Sequence, residues 1–318
     1  MQEVGSRKQE VARGAVRGTQ SFVGVMTAVW KRPSLAGLEI GWRWLVGIVA
    51  FGLAGLAFGS RGLGAKVDLG WVRNASVFQP VGAINGLRDA ASGLWNYASP
   101  VLRWMVPAVI VLWLVGAAVG RTVVLRRLDG GLHARRFAML VLGALRTGLL
   151  AVVWGIWVWG IGVSVRVSIT GPAARAAEPS IVLFCAMLIV GSLALYVLWG
   201  AVSWPLYLAP LLAMQLGLGA GDALRAAFKS GAVRGKLIEI NMVMNIVRIA
   251  LIVLAMVFSA SPLPFSNVET QTFLNCWWSG VGLVYLGMSD YFHVVRSAAY
   301  LSLWRAYNFP DSGRSREV

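Results

Sequence analysis

The sequence predicts an all-α fold: a polytopic transmembrane helix bundle with about six spans, both termini in the cytoplasm, and amphipathic interfacial helices. Three observations carry this prediction. Hydrophobic residues make up 58% of the 318 residues. Charged residues make up only 13%, where about 25% is usual in a soluble domain. The apolar residues are gathered in segments long enough to cross a bilayer.

Six such segments occur in the chain. We expect spans over about 42–58, 101–120, 139–165, 181–204, 239–261 and 273–300. The fourth segment stays apolar to Leu216, but Pro205 and Pro210 interrupt it, and proline has no backbone N–H to donate. We therefore expect a crossing to about Trp204, followed by a kinked interfacial helix.

The regions around the spans complete the predicted organisation. We expect a cytoplasmic N-terminal segment over 1–40, a bundle over 41–305 and a cytoplasmic tail over 306–318. The first segment contains an amphipathic helix at 21–30, which Lys31-Arg32-Pro33 ends. Residues 59–100 are too polar to span and predict an extracytoplasmic cap with a helix over 81–97, whereas 166–179 predicts a short loop. A second amphipathic stretch covers 217–230.

The basic residues predict the orientation. Of the 29 Lys and Arg residues, 22 fall on the side that carries both termini and seven on the other. This is the positive-inside pattern of a multi-pass protein in a bacterial cytoplasmic (inner) membrane. The net charge of +16 is thereby explained without nucleic acid as a partner, and no basic run is interleaved with exposed aromatic residues in a soluble stretch.

Polar residues in spans five and six form the candidate site. Asn241, Asn245 and Arg248 follow the i, i+4, i+7 spacing of one helical face. Span six carries Asp290 and His293, with Arg296 on the same broad face. Because a charge at this depth normally faces protein or a water-filled cavity, we expect Arg248 to pair with Asp290. The face is either a polar path to the cytoplasm or a buried ion pair that holds two helices together.

A basic loop between spans two and three is the second candidate. Its arginines are Arg121, Arg126, Arg127, Arg135 and Arg136. They would suit anionic lipid head groups or an acidic partner protein. The positive-inside rule explains the same charges without any partner.

Other patterns concern packing and chemistry. The pairs Gly55/Gly59 and Gly116/Gly120 have the GxxxG spacing that allows helix backbones to approach closely. Cys185 and Cys276 lie in apolar segments without metal-ligand spacing, so we expect buried small side chains and no metal site. No catalytic motif occurs in the sequence, and no cofactor is expected.

One stretch resembles a known family. Gly219–Ile252, GAGDALRAAFKSGAVRGKLIEINMVMNIVRIALI, combines an amphipathic helix, a basic Ser-containing turn and a span. It is similar to the unit found in uncharacterised bacterial six-helix membrane proteins, including the membrane domain attached to glycerophosphodiester phosphodiesterases. The resemblance covers about a tenth of the chain and implies a bundle with amphipathic cytoplasmic connectors. It assigns no catalytic residue here, because this chain has no phosphodiesterase domain.

Three functions remain open at this point. The first is a non-enzymatic structural, interaction or accessory membrane subunit, as a homo-oligomer or in a larger complex. The second is a transporter or channel for a small solute along the polar face of spans five and six. The third, an enzyme acting on lipid, ranks last because the sequence presents no nucleophile, base or metal cluster.

Overall fold

A computed structural model describes residues 18–59, 80–260 and 270–308, and every regular element within them is helical. The helices are α1 Gly18–Trp30, α2 Pro33–Gly59, α3 Pro80–Leu128, α4 Arg136–Val165, a π-helix Arg166–Thr170, α5 Gly171–Ala174, α6 Ile181–Val202, α7 Trp204–Gln215, α8 Ala220–Phe228, α9 Gly231–Ala260 and α10 Gln271–Asn308. The predicted all-helical class is confirmed.

Five helical segments of the described chain are long and apolar enough to cross a membrane. They are Pro33–Gly59, Ala91–Leu128, Arg136–Ala174, Ile181–Gln215 and Val233–Ala260. These segments contain the first five predicted spans, apart from the last residue of the fifth. The sixth lies within the 38-residue helix α10, which is outside this set.

Local chemistry places several helix ends where the sequence predicts them. α1 ends before Lys31, and Pro33 is the first residue of α2. Proline is tolerated there because the first N–H groups of a helix have no partner within the helix. In the turn after α3, the backbone N–H of Gly131 donates to Asp129 Oδ1 at 3.1 Å. The predicted kink in the fourth apolar segment occurs at Ser203, between α6 and α7.

Two predicted boundaries need correction. The loop expected over 166–179 is helical as far as Ala174, because the chain continues from α4 into the π-helix and α5. The helix expected over 81–97 exists, but it is continuous with the second span through Pro100 and Pro107. Residues 60–79 of the predicted cap, 1–17 and 309–318 lie outside the described residues.

The chain divides into two compact units. The first unit comprises the described residues of Met1–Arg43, Ala118–Leu142 and Gly200–Val318. The second unit comprises those of Trp44–Ala117 and Gly143–Trp199.

The first unit has a dense hydrophobic core. α7 supplies its centre, where Leu208, Ala209, Leu212 and Met214 are completely buried. Val29 of α1, Ala223 and Ala227 of α8, and residues of α3, α4, α9 and α10 pack into the same cluster. The amphipathic helices α1 and α8 therefore bury their apolar faces against protein.

The second unit exposes much of its apolar surface. Phe51 of α2 is 82% exposed and Val182 of α6 is 81% exposed. Trp157 of α4 donates its indole N–H to Ser192 Oγ of α6 at 2.9 Å, beside a groove of about 410 Å³ that no charged residue lines. Such surfaces suit lipid or a partner helix better than water.

The two GxxxG pairs differ in their surroundings. A Cβ atom added at Gly116 would collide with Val46, and one added at Gly120 would collide with the Trp42 ring. Additions at Gly55 and Gly59 would meet nothing within 4 Å. Close helix approach is therefore confirmed for Gly116/Gly120, whereas no described residue packs on Gly55/Gly59.

This difference predicts opposite effects of the same substitution. Gly120→Ala should lower the free energy of unfolding by about 1–3 kcal/mol, because the new methyl group overlaps a ring that cannot move freely. Gly55→Ala is the matched control and should leave stability unchanged or slightly higher, since alanine favours helix. Thermal unfolding of both variants in the same detergent measures this. Equal effects would contradict the α2–α3 packing.

Candidate functional site

The candidate site is an ionic cluster in the first unit, defined as Glu39, Arg43, Arg121, Asp290 and His293. Arg43 Nε lies 2.6 Å from Glu39 Oε1 and forms an ion pair with it. Arg43 Nη1 donates to Asp290 Oδ1 at 2.7 Å. One guanidinium thus bridges two carboxylates from different helices.

Helical spacing brings these groups together. Glu39 and Arg43 are four residues apart in α2, with the acid nearer the N-terminus, which is the favourable order. Asp290 and His293 are three residues apart and share a face of α10. Arg121 reaches the cluster from α3. The Trp42 indole N–H donates to Glu39 Oε2 at 2.8 Å and orients that carboxylate.

The contacts assign the tautomer of His293. Arg121 Nη2 lies 3.4 Å from His293 Nε2. Because a guanidinium can only donate, Nε2 must accept, and the ring proton is on Nδ1. His293 Nδ1 faces Glu39 Oε1 at 3.3 Å. The His293 ring therefore lies between a cation and an anion.

The cluster is buried and its charges balance. Glu39 is 1%, Asp290 6% and His293 8% exposed. With His293 neutral, the cluster contains two arginines and two carboxylates. Buried charges are tolerated when they are paired in this way, and the loss of one partner leaves a charge that is costly to bury.

A small cavity adjoins the ionic cluster. Its volume is about 30 Å³, which is room for about one water molecule. Its polar lining comes from Glu39, Arg121, Tyr207, His293 and Ser297. The cavity can hydrate the cluster, but it is too small for an organic solute.

A second polar group lies at the break between α6 and α7. Asn241 Nδ2 donates to Gly200 O at 2.5 Å and to Ser203 Oγ at 3.1 Å. Carbonyls at a helix end need donors from elsewhere, and Asn241 supplies one. Arg296 Nη1 donates to Asn241 Oδ1 at 3.2 Å, and its Cζ lies 4.1 Å from the Tyr207 ring centre.

The residues of the predicted polar face are therefore split between two groups. Asp290 and His293 belong to the ionic cluster, and Asn241 lies at the helix break. Asn245 is buried and lies so close to Gly200 that a Cβ atom there would collide with it.

The predicted pair of Arg248 with Asp290 is wrong. Arg248 is half-buried and forms no ion pair with any residue in the described ranges. Asp290 pairs with Arg43 instead. Depth along the two spans suggested Arg248, but depth does not show which helix packs against which face.

Glu39 and Arg43 were missed in the sequence. Their signal was present: an acid and an arginine at i, i+4 where α2 becomes apolar. The prediction treated Arg43 only as a marker of orientation. An acid at the start of a span, on the same face as a base, indicates a packing contact.

The arginines of the predicted basic loop differ in exposure and in contacts. Arg126, Arg127, Arg135 and Arg136 are exposed, whereas Arg121 is half-buried and faces the ionic cluster. Asp129 of the turn forms an ion pair with Arg305 of α10.

The predicted burial of the two cysteines is wrong, because Cys185 and Cys276 are both exposed. Within the described ranges, no three His, Cys, Asp or Glu residues are grouped to hold a metal ion.

No protein-family model, curated protein or solved structure matches this chain. The resemblance of Gly219–Ile252 to the phosphodiesterase-associated membrane domain therefore stays a prediction.

The ionic cluster predicts which arginine matters for stability. Arg43→Met should lower the free energy of unfolding by about 3–5 kcal/mol, because it strands two buried carboxylates. Arg248→Met is the control and should have little effect. Adding Asp290→Leu to Arg43→Met restores the charge balance. The double variant should therefore lose less free energy of unfolding than the sum of the losses from Arg43→Met and Asp290→Leu alone.

Chemical denaturation in detergent measures all four variants. A large loss from Arg248→Met, with none from Arg43→Met, would instead support the pairing expected from the sequence.

Proposed function

We propose that this chain is a structural or interaction protein of a bacterial cytoplasmic membrane, acting as an accessory subunit or homo-oligomer. It has six spans, with α10 as the sixth, and both termini in the cytoplasm. Five long apolar helices, the exposed apolar surface of the second unit and the positive-inside charge pattern support this placement.

One observation carries the choice of a structural role: both buried carboxylates of the ionic cluster are paired with Arg43 of the same cluster. The adjoining cavity has room for about one water molecule. A solute path needs a void of the solute's size, or polar groups that bind the solute and release it. The ionic cluster instead connects α2, α3 and α10 within the first unit.

The alternative is a transporter or channel for a small solute. The polar lining of the small cavity by Glu39, Arg121, His293 and Ser297 favours it. In that case the ionic cluster would have to open during the transport cycle. An enzyme acting on lipid stays third on the sequence grounds given above. Anionic lipid head groups remain the proposed partner of the exposed arginines Arg126, Arg127, Arg135 and Arg136.

The topology prediction distinguishes six spans from five. If α10 crosses the membrane, reporters fused at the N-terminus and at the C-terminus should both show cytoplasmic exposure. If only five helices cross, the two ends should lie on opposite sides. Paired phosphatase and fluorescent fusions at each end, with a fusion after residue 178 as a control for the outer side, give the result.

The functional prediction uses the charge-balanced double variant Arg43→Met/Asp290→Leu. In cells that lack the wild-type gene, it should restore the wild-type phenotype, because apolar packing can replace a structural ion pair. Expression level and thermal unfolding serve as folding controls. A double variant that is folded but inactive would favour the transporter, and solute flux would then be measured.

A further inference from the structure

Three exposed aromatic residues of the first unit stand beside exposed cations. Trp30 is 71%, Phe137 80% and Phe228 64% exposed. Their cationic neighbours are Lys31 and Arg32, Arg135 and Arg136, and Lys229, all of which are exposed. We call these three groups the aromatic–basic sites.

Each aromatic–basic site is attached firmly to the core. The residue next to each ring is buried in the hydrophobic cluster of the first unit: Val29 at 2%, Ala138 at 5% and Ala227 at 0% exposure. The backbone that carries each ring is therefore anchored to the core. Their exposure is a property of the fold.

The position of the three sites along the chain is the second observation. Trp30 precedes Pro33–Gly59, Phe137 is the second residue of Arg136–Ala174, and Phe228 precedes Val233–Ala260. Each therefore stands where the chain enters an odd-numbered apolar segment. If all five apolar segments cross, these entries lie on the same side of the membrane, whichever side that is.

The chemistry of the sites fits a lipid surface. Aromatic rings concentrate at the level of the head groups, where one edge is wet and the other apolar. Lysine and arginine beside them attract anionic phosphates, each by about 1 kcal/mol, which corresponds to about a fivefold increase in affinity. An acidic protein could match the charges, but it would not account for a ring at each of three span entries.

We infer that the aromatic–basic sites insert into the head-group layer of an anionic leaflet and fix the depth of the first unit. The inference rests on the proposed placement in a membrane. It goes beyond that proposal by naming the rings, the cations that accompany them and the class of lipid.

Site-directed fluorescence tests the inference in the full chain. With Cys185 and Cys276 replaced by serine, a single cysteine is placed at Trp30, Phe137 or Phe228 and labelled with an environment-sensitive dye. The protein is reconstituted in nanodiscs of phosphatidylcholine, with or without phosphatidylglycerol. Nitroxide lipids carry the quencher either near the head group or near the end of the acyl chain.

All three sites should emit at shorter wavelength than dye in water, and the shallow quencher should act more strongly than the deep one. Phosphatidylglycerol should increase the quenching, and Lys31→Glu with Arg32→Glu should abolish that increase at Trp30. A cysteine at Gly221, which is exposed on α8 and has open space around it, is the matched control and should stay water-like.

A dye on native Cys185, in a Cys276→Ser background, tests the membrane placement separately. Quenching by nitroxide lipid there, with water-like emission at the three rings, would overturn the inference and leave the membrane placement intact. Water-like emission at Cys185 would contradict the membrane placement itself. Rings shielded from both water and nitroxide would indicate a protein partner or a second copy, which would overturn the inference. Quenching of equal strength with and without phosphatidylglycerol would show that anionic lipid is not required, which would also overturn it.

Discussion

The balance of charge around Arg43 is the constraint on which the first unit depends. Arg43 contacts Glu39 and Asp290, and Glu39 in turn faces His293 and Trp42. Buried carboxylates are stable as ions only when cations and donors replace the water they have lost. These contacts therefore help to fix the helices that supply the groups relative to one another.

The helix break at Ser203 is stabilised by different chemistry. Asn241 is a neutral amide that donates to Gly200 and Ser203 and accepts from Arg296. Arg296 is 4% exposed and also lies over the face of Tyr207. A desolvated cation–π contact contributes about 2 kcal/mol, so an amide and a ring together make the burial of this guanidinium tolerable. These contacts help to place α7, the centre of the core.

The two units differ in what their helices bury. The first unit has amphipathic helices, a dense core and aromatic rings beside cations at its surface. The second unit has apolar helices with large exposed side chains and glycines such as Gly55, around which there is open space. Exposed apolar surface of this kind suits lipid or a partner helix better than water.

The sequence by itself determined the helical class, five of the apolar segments, the break at Lys31 and the interruption of the fourth segment near Trp204. These features depend on composition and on local backbone chemistry, so they can be predicted without a structure. Only the tertiary structure decided that Asp290 pairs with Arg43 and not Arg248, and that Gly120 is packed while Gly55 is not. Periodicity shows which face of a helix a residue occupies, but the neighbour of that face is set by how all the helices pack together.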